Sequence, residues 1–223
     1  MVTQLTENER YHLGELRIAK DTSDPRRIMP MLPDQWSRIL DIGCGAGQTL
    51  LGLGLPLPGK MACGGDIDLS ALRLGHQLSP QTAFMCARGE QLPFVSASFE
   101  LVISRVAMPY MHVPSVLKEI ERILVPGGTV WLALHPITLA WKWLWTDICS
   151  LNLKRLVYRT YVLANGMGFH LTGRLCRYPL HPARCESFQT VRGMTKALNR
   201  VGLQLSHHCQ SDTEFVLTAR KTG

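Results

Sequence analysis

At 223 residues, 46% of them hydrophobic and 18% charged, the chain is long enough for one α/β domain with a full core and short for two. Seven scattered cysteines (44, 63, 86, 149, 176, 185, 209) form no C-x-x-C pair, which excludes a disulfide framework and reads as reduced thiols in a cytoplasmic protein. The net charge of +7 is concentrated in residues 137–185, where seven Lys/Arg accompany one acid, Asp147.

Residues 1–10 are polar and acidic, without the basic-then-apolar pattern of a signal peptide. No run of about 18 apolar residues marks a membrane span. His181 with Cys185, and His207-His208-Cys209, lack the paired spacing of a zinc site, so no metal is expected.

Residues 1–36 read as a helical cap: a helix through Tyr11 to Lys20, then an approach to the first strand punctuated by Pro25, Pro30 and Pro33. Tyr11 and His12 are expected chiefly as packing residues. The stretch 38–50 follows. A short buried strand (39–42) runs into Gly43, Gly45 and Gly47, and a helix begins near Gln48. Glycines at every second position let the backbone turn tightly and approach a ligand closely. The free amides at the helix start favour a polar or anionic group. Asp41, two residues before the first glycine, would repel a pyrophosphate and hold an ammonium. The spacing G-x-G-x-G also differs from the G-x-G-x-x-G of dinucleotide binders.

Pro56, Pro58 and Gly59 end the next helix, and a second strand (60–66) closes on Asp66, placed to accept hydrogen bonds from two ribose hydroxyls. Asp68 is expected to cap the following helix, whose apolar positions are Leu69, Leu72 and Leu74. A third strand (83–86) leads into Arg88-Gly89-Glu90-Gln91-Leu92-Pro93-Phe94. A fourth (101–104) ends at Arg105. A helix over 114–124 shows Val116, Leu117, Ile120 and Ile123 on one face. Val125-Pro126-Gly127-Gly128 turns into a fifth strand (129–134). A helix over 187–200 and a strand pair (203–209, 214–219) finish the chain.

Four strings in order over residues 38–136 carry a resemblance: D-I-G-C-G-A-G, G-D-I-D-L-S, R-G-E-Q-L-P-F followed by S-F-E-L-V, and L-K-E-I-E-R-I-L-V-P-G-G-T-V-W-L. Together they resemble the class I S-adenosylmethionine (SAM)-dependent methyltransferases, of the small-molecule and ubiquinone/menaquinone-biosynthesis type. The resemblance implies a single α/β domain over 1–223. Its fold is a Rossmann-like, seven-stranded, mostly parallel sheet with an antiparallel final strand, helices on both faces and a helical lid. It implies SAM as cofactor, with Asp41, Gly43, Gly45 and Gly47 around the methionine end and the Arg105 carbonyl near the ammonium. Asp66 would hold the ribose, Ile67 would lie against adenine, and Gly89 would meet the ring beside Glu90. Arg88 departs from the family, standing where an aspartate accepts the adenine amino group. An arginine has no acceptor, leaving the Gly89 amide or stacking by Arg88 on the ring.

In open α/β sheets ligands collect outside the carboxyl ends of the strands. Asp41, Asp66, Gly89, Arg105 and His135 therefore converge. Methyl transfer is an in-line displacement that needs a base only if the nucleophile must lose a proton; Tyr110, His112 and His135 are the candidates. Met108-Pro109-Tyr110 lies too late, and lacks the residues, for the motif of amino-directed DNA methyltransferases.

The insert 137–185 shows two helical faces. Trp141, Leu144, Trp145, Ile148 and Cys149 form the first. Leu153, Leu156, Val157, Thr160, Tyr161 and Ala164 form the second, with Lys154, Arg155 and Arg159 opposite and Asn165-Gly166 and Gly168 breaking the pattern. They read as a lid over the substrate crevice. A small apolar or aromatic substrate ranks first, a membrane-borne lipid or quinone-like substrate with peripheral membrane contact through 141–164 second, and nucleic acid third. A dinucleotide-dependent oxidoreductase and a non-catalytic SAM-binding protein are the competing classes.

Overall fold

The structure, a computed structural model, describes residues 5–149, 153–181, 184–211 and 214–222. In chain order the elements are α1 (Glu7–Lys20), β1 (Arg38–Ile42), α2 (Gln48–Gly52), β2 (Met61–Asp66), α3 (Leu69–Leu78), β3 (Ala83–Cys86), β4 (Phe99–Arg105), a 3-10 turn (Met108–Tyr110), α4 (Val113–Ile123), β5 (Leu124–Leu134), α5 (Ile137–Cys149), α6 (Leu153–Thr172), α7 (Val191–Arg200), β6 (Leu203–Gln210) and β7 (Phe215–Lys221). They build one seven-stranded sheet of order β3-β2-β1-β4-β5-β7-β6. β1 to β5 pair in parallel, and β7 runs antiparallel to both of its neighbours. The order reverses direction between β1 and β4, the switch point at which such sheets open a crevice.

The strands are apolar on both faces because helices cover both. Alternation along β1 sends Ile39 to one side, with Leu101, Ile103, Trp131 and Leu50, and sends Leu40 and Ile42 to the other. On that second side α4 lays down the stripe Val113, Val116, Leu117, Ile120 and Ile123, all buried, at the helical spacing that one buried face requires.

Helix α1 is locked by a capping box. The Thr6 hydroxyl accepts from the Glu9 amide, and the Glu9 carboxylate accepts from the Thr6 amide, satisfying two helix-end donors at once. The Asn8 side-chain amide donates to Asp68 Oδ2 and Ser70 Oγ, both at 2.8 Å, tying the start of α1 to the start of α3.

Three expectations are corrected. The last helix starts at Val191, not 187. Residues 187–190 run extended because Gln189 donates its amide to the His135 carbonyl at 3.0 Å, and Thr190 caps the Gly193 amide. Helix α6 does not break at Asn165-Gly166 or Gly168 but runs on to Thr172. Asn165 is held by the Glu186 carbonyl and the Cys176 amide, and a Cβ on Gly166 would overlap the Phe188 ring, so this glycine permits close packing rather than ending the helix. Finally, the apolar face of α5 does not point inward: Trp141 is 55% and Trp145 69% exposed. The face that does turn in carries Ala140, Trp143 and Asp147. Buried Asp147 pairs there with Arg159 at 3.1 Å, and Trp143 meets His135 edge-on. A buried ion pair leaves its partners little freedom to rotate out. Cys149, assigned to that apolar face, has a side chain outside the described residues.

Candidate active site

Two hollows at the carboxyl ends of the strands, of about 390 and 330 Å³, share Gly43, Asp66, Ala107 and Tyr110 and form one crevice. The first is polar and charged, with Glu15, Arg26, Gln48, Thr49 and Arg105 around the glycine turn. The second is lined by Ile67, Arg88, Gly89, Glu90, Met111 and, from the segment after α6, Arg177 and Cys185. A larger hollow near Pro56, Lys60 and Ala83 lies at the amino ends of β2 and β3, away from the glycine turn and every motif residue.

The glycine turn is held by its own sheet: the Gly43 and Cys44 amides both donate to the Gly65 carbonyl, at 2.7 and 3.1 Å. Gly43 has φ +72, and a Cβ there would overlap that of Ala107. Gly43→Ala combines a left-handed strain with a steric overlap. It is expected to cost about 1–3 kcal/mol in denaturant unfolding and to weaken nucleoside binding.

Asp66 accepts from the Gly45 amide at 2.8 Å and the Asp68 amide at 2.9 Å, one on each oxygen. A carboxylate oxygen has room for a second donor, so Asp66 fixes the turn and still offers acceptors to paired hydroxyls. Asp68 is the α3 cap, as expected, accepting from the Ser70 and Ala71 amides. The Ser70 and Asn8 bonds hold its carboxyl low, at about 2. Ile67, 70% exposed at the crevice wall, presents an apolar side chain with no apolar cover. Arg88 lines the same wall and pairs with Glu90 at 3.6 Å. Glu90 also accepts from the His112 amide.

Asp41 lies deeper than expected. It is 1% exposed and does not line the crevice, and neither carboxylate oxygen has a hydrogen-bond partner. Burial pushes its carboxyl up to about 7; Arg105 and the nearby Thr49 hydroxyl pull the other way without overcoming it, and Asp66 adds to the rise. The charge that does face the crevice is Arg105, which donates to Thr49 Oγ1 at 3.2 Å and pairs with Glu15 of α1 at 3.3 Å. Its side chain thus clamps α1 to the start of α2, a role beyond the backbone carbonyl expected of it. Gly47, at the start of α2, sits behind the crevice against Phe84.

Of the three candidate bases only Tyr110 lines the crevice. Burial, with Glu186 next in weight, pushes its hydroxyl up to about 12, so it is a phenol at neutral pH and can donate but not accept a proton. His112 turns its ring to Ser115, Nδ1 to Oγ 2.7 Å. His135 is 6% exposed, edge-on to both Tyr110 and Trp143. Burial, and then Arg159, lowers its pKa to about 4, so it is neutral at pH 7 and stays off the crevice surface.

His12 is the imidazole that does line the crevice. Its Nδ1 meets Gln48 Nε2 at 2.7 Å. The amide nitrogen is the donor of that bond and the ring nitrogen its acceptor. Glu15, Arg26, Arg177 and Cys185 were not expected at the site. They arrive from outside the motif region, and only the N-terminal helix gave a hint of the first. Val106, beside Ala107, holds φ +62, a costly conformation for a β-branched residue and one that concentrates at functional sites.

The fold, the glycine turn and the acid closing β2 are similar to those of the class I SAM-dependent methyltransferases. Residues 40–132 match the family described as "Methyltransferase domain". A biotin biosynthesis bifunctional protein BioHC of Cellvibrio japonicus is 28% identical over 202 residues, covering 87% of this chain and 39% of that protein. A phthiotriol/phenolphthiotriol dimycocerosates methyltransferase of Mycobacterium leprae is 34% identical over 127 residues, covering 55% and 46%. The chain thus spans less than half the length of these curated relatives. A solved SAM-dependent methyltransferase of Methanosarcina mazei shares the fold, with a TM-score of 0.57, 21% identity and coverage of 86% of this chain and 94% of that one. SAM is the cofactor of the family.

Proposed function

We propose that this chain transfers the methyl group of SAM to an apolar or aromatic small molecule. One observation carries the reading: the two lobes of the crevice meet at Gly43 and Asp66, with charged amino-acid-binding groups on one side and a nucleobase-sized apolar wall on the other. An acid at that junction suits a ribose, and the G-x-G-x-G spacing departs from that of dinucleotide binders.

Arg105 and Arg26 offer cations to the ligand's carboxylate, and Glu15 offers an acceptor to its ammonium. Asp66 takes the ribose hydroxyls, Ile67 and Gly89 flank the base, and the Glu90 carboxylate supplies the acceptor that Arg88 lacks. The cofactor, when bound, supplies an electrophilic methyl on a sulfonium. The residues then contribute alignment and exclusion of water, with α1 clamped over the methionine end. Tyr110, the wall common to both lobes, donates a hydrogen bond to the acceptor. With Tyr110 held as a phenol and His135 off the crevice, an acceptor that is already nucleophilic at neutral pH fits better than an alcohol.

A second reading, a membrane-borne lipid acceptor, is favoured by the outward apolar face of α5 and by the dimycocerosate-directed relative. Calorimetry distinguishes the cofactor classes: saturable binding of S-adenosylhomocysteine and none of NAD is expected. Heat with NAD alone would return the chain to the oxidoreductases. Methyl transfer from labelled SAM to a panel of apolar acceptors then tests the substrate class.

A further inference from the structure

We infer that the hairpin of α5 and α6 is a docking surface for an anionic lipid bilayer, engaged from one side without crossing it. Trp141, Trp145 and Ile148, at i, i+4 and i+7, are 55%, 69% and 41% exposed on one face of α5. Leu153 and Val157, 73% and 48% exposed, continue the apolar surface at the start of α6. Five large apolar side chains laid open on one hairpin are more than scattered surface residues explain.

The charge around them decides the occupant. Lys142, Lys154 and Arg155 are exposed on the same two helices. The one acid in residues 137–185, Asp147, is buried on the inward face, paired with Arg159 at 3.1 Å and with Arg155 at 4.0 Å. The outward face therefore combines tryptophan and aliphatic side chains with cations and presents no carboxylate. That pairing suits an interface of acyl chains beneath anionic headgroups. An uncharged apolar partner would leave the cations unused. Among the described residues no helix is long and apolar enough to cross a membrane, so the contact is peripheral. The surface is separate from the crevice, and the inference does not depend on the cofactor.

Co-sedimentation with phosphatidylcholine vesicles, with and without a minority of phosphatidylserine, tests it. Binding to the anionic vesicles at low salt is expected, on the order of twentyfold tighter than to neutral ones, since each of the two exposed lysines, Lys142 and Lys154, contributes about fivefold. It should weaken as salt shortens the Debye length. Trp141→Ala with Trp145→Ala should lower it at least about tenfold, while S-adenosylhomocysteine binding, the check that the variant is folded, stays unchanged. Three outcomes would overturn the inference: no binding to anionic vesicles at low salt, vesicle binding indifferent to the two tryptophans, or a tryptophan-dependent dimer in sedimentation velocity that ignores vesicles.

Discussion

Asp66→Ala is expected to weaken S-adenosylhomocysteine binding about a hundredfold or more. Two hydroxyl donors on a carboxylate are charge-assisted hydrogen bonds, each worth about 1.5–3 kcal/mol. Truncation removes both acceptors at once. It also frees the Gly45 and Asp68 amides, which Asp66 now receives at 2.8 and 2.9 Å, so part of the loss is a loosened glycine turn. Asp66→Asn separates the two effects. It keeps one acceptor oxygen for the turn, loses the negative charge, and should fall between wild type and alanine. Titration calorimetry measures both, after thermal unfolding has shown the variants folded. Unchanged affinity in Asp66→Ala would remove the ribose from this position.

The second large effect is on stability, and it is hidden in the wild-type protein. Asp41 is held at about 7 against 3.8 in the unfolded chain. Between those values the folded state carries the extra proton, and stability is lost as pH rises, by about 4 kcal/mol in total. His135 is held at about 4 against 6.5 unfolded. There the unfolded state carries the extra proton, and stability is gained as pH rises, by about 3 kcal/mol. The two slopes oppose each other from about pH 4 to 6.5, so these sites together leave the wild type nearly flat. Asp41→Asn should expose the His135 slope, with stability climbing through that window. His135→Phe should expose the Asp41 slope, with stability falling to about pH 7. Urea unfolding across the pH series reads both. Parallel profiles in all three proteins would show that neither group titrates as its burial requires.

The sheet, its glycine turn and the position of Asp66, Gly89 and Arg105 on the crevice wall were legible because each is local: a strand pattern of period two, a run of glycines, an acid at a strand end. The inward face of α4 was legible for the same reason, a stripe at helical spacing with no competing polar partner. The insert was not. In α5 the spacing of Trp141, Trp145 and Ile148 marks an apolar face correctly but cannot say which way it points. Asp147 decides that through Arg159, twelve residues away and on another helix. Gly166 looked like a breaker because its purpose is the Phe188 ring, a contact absent from any local window. Asp41 was expected to face the ligand's ammonium, but its side chain is buried behind the glycine turn, a depth that the strand pattern alone does not reveal. Glu15 and Arg177 reach the crevice only through long-range packing, which no motif announces.

The assignment of this crevice to SAM is tested most directly by a crystal structure of the protein soaked with S-adenosylhomocysteine. The ribose hydroxyls are expected on Asp66, the base between Ile67 and Gly89, and the amino-acid end among Glu15, Arg26 and Arg105. Density for the ligand in the hollow beside Lys60 and Ala83, or with its base at the Arg105 end, would contradict it.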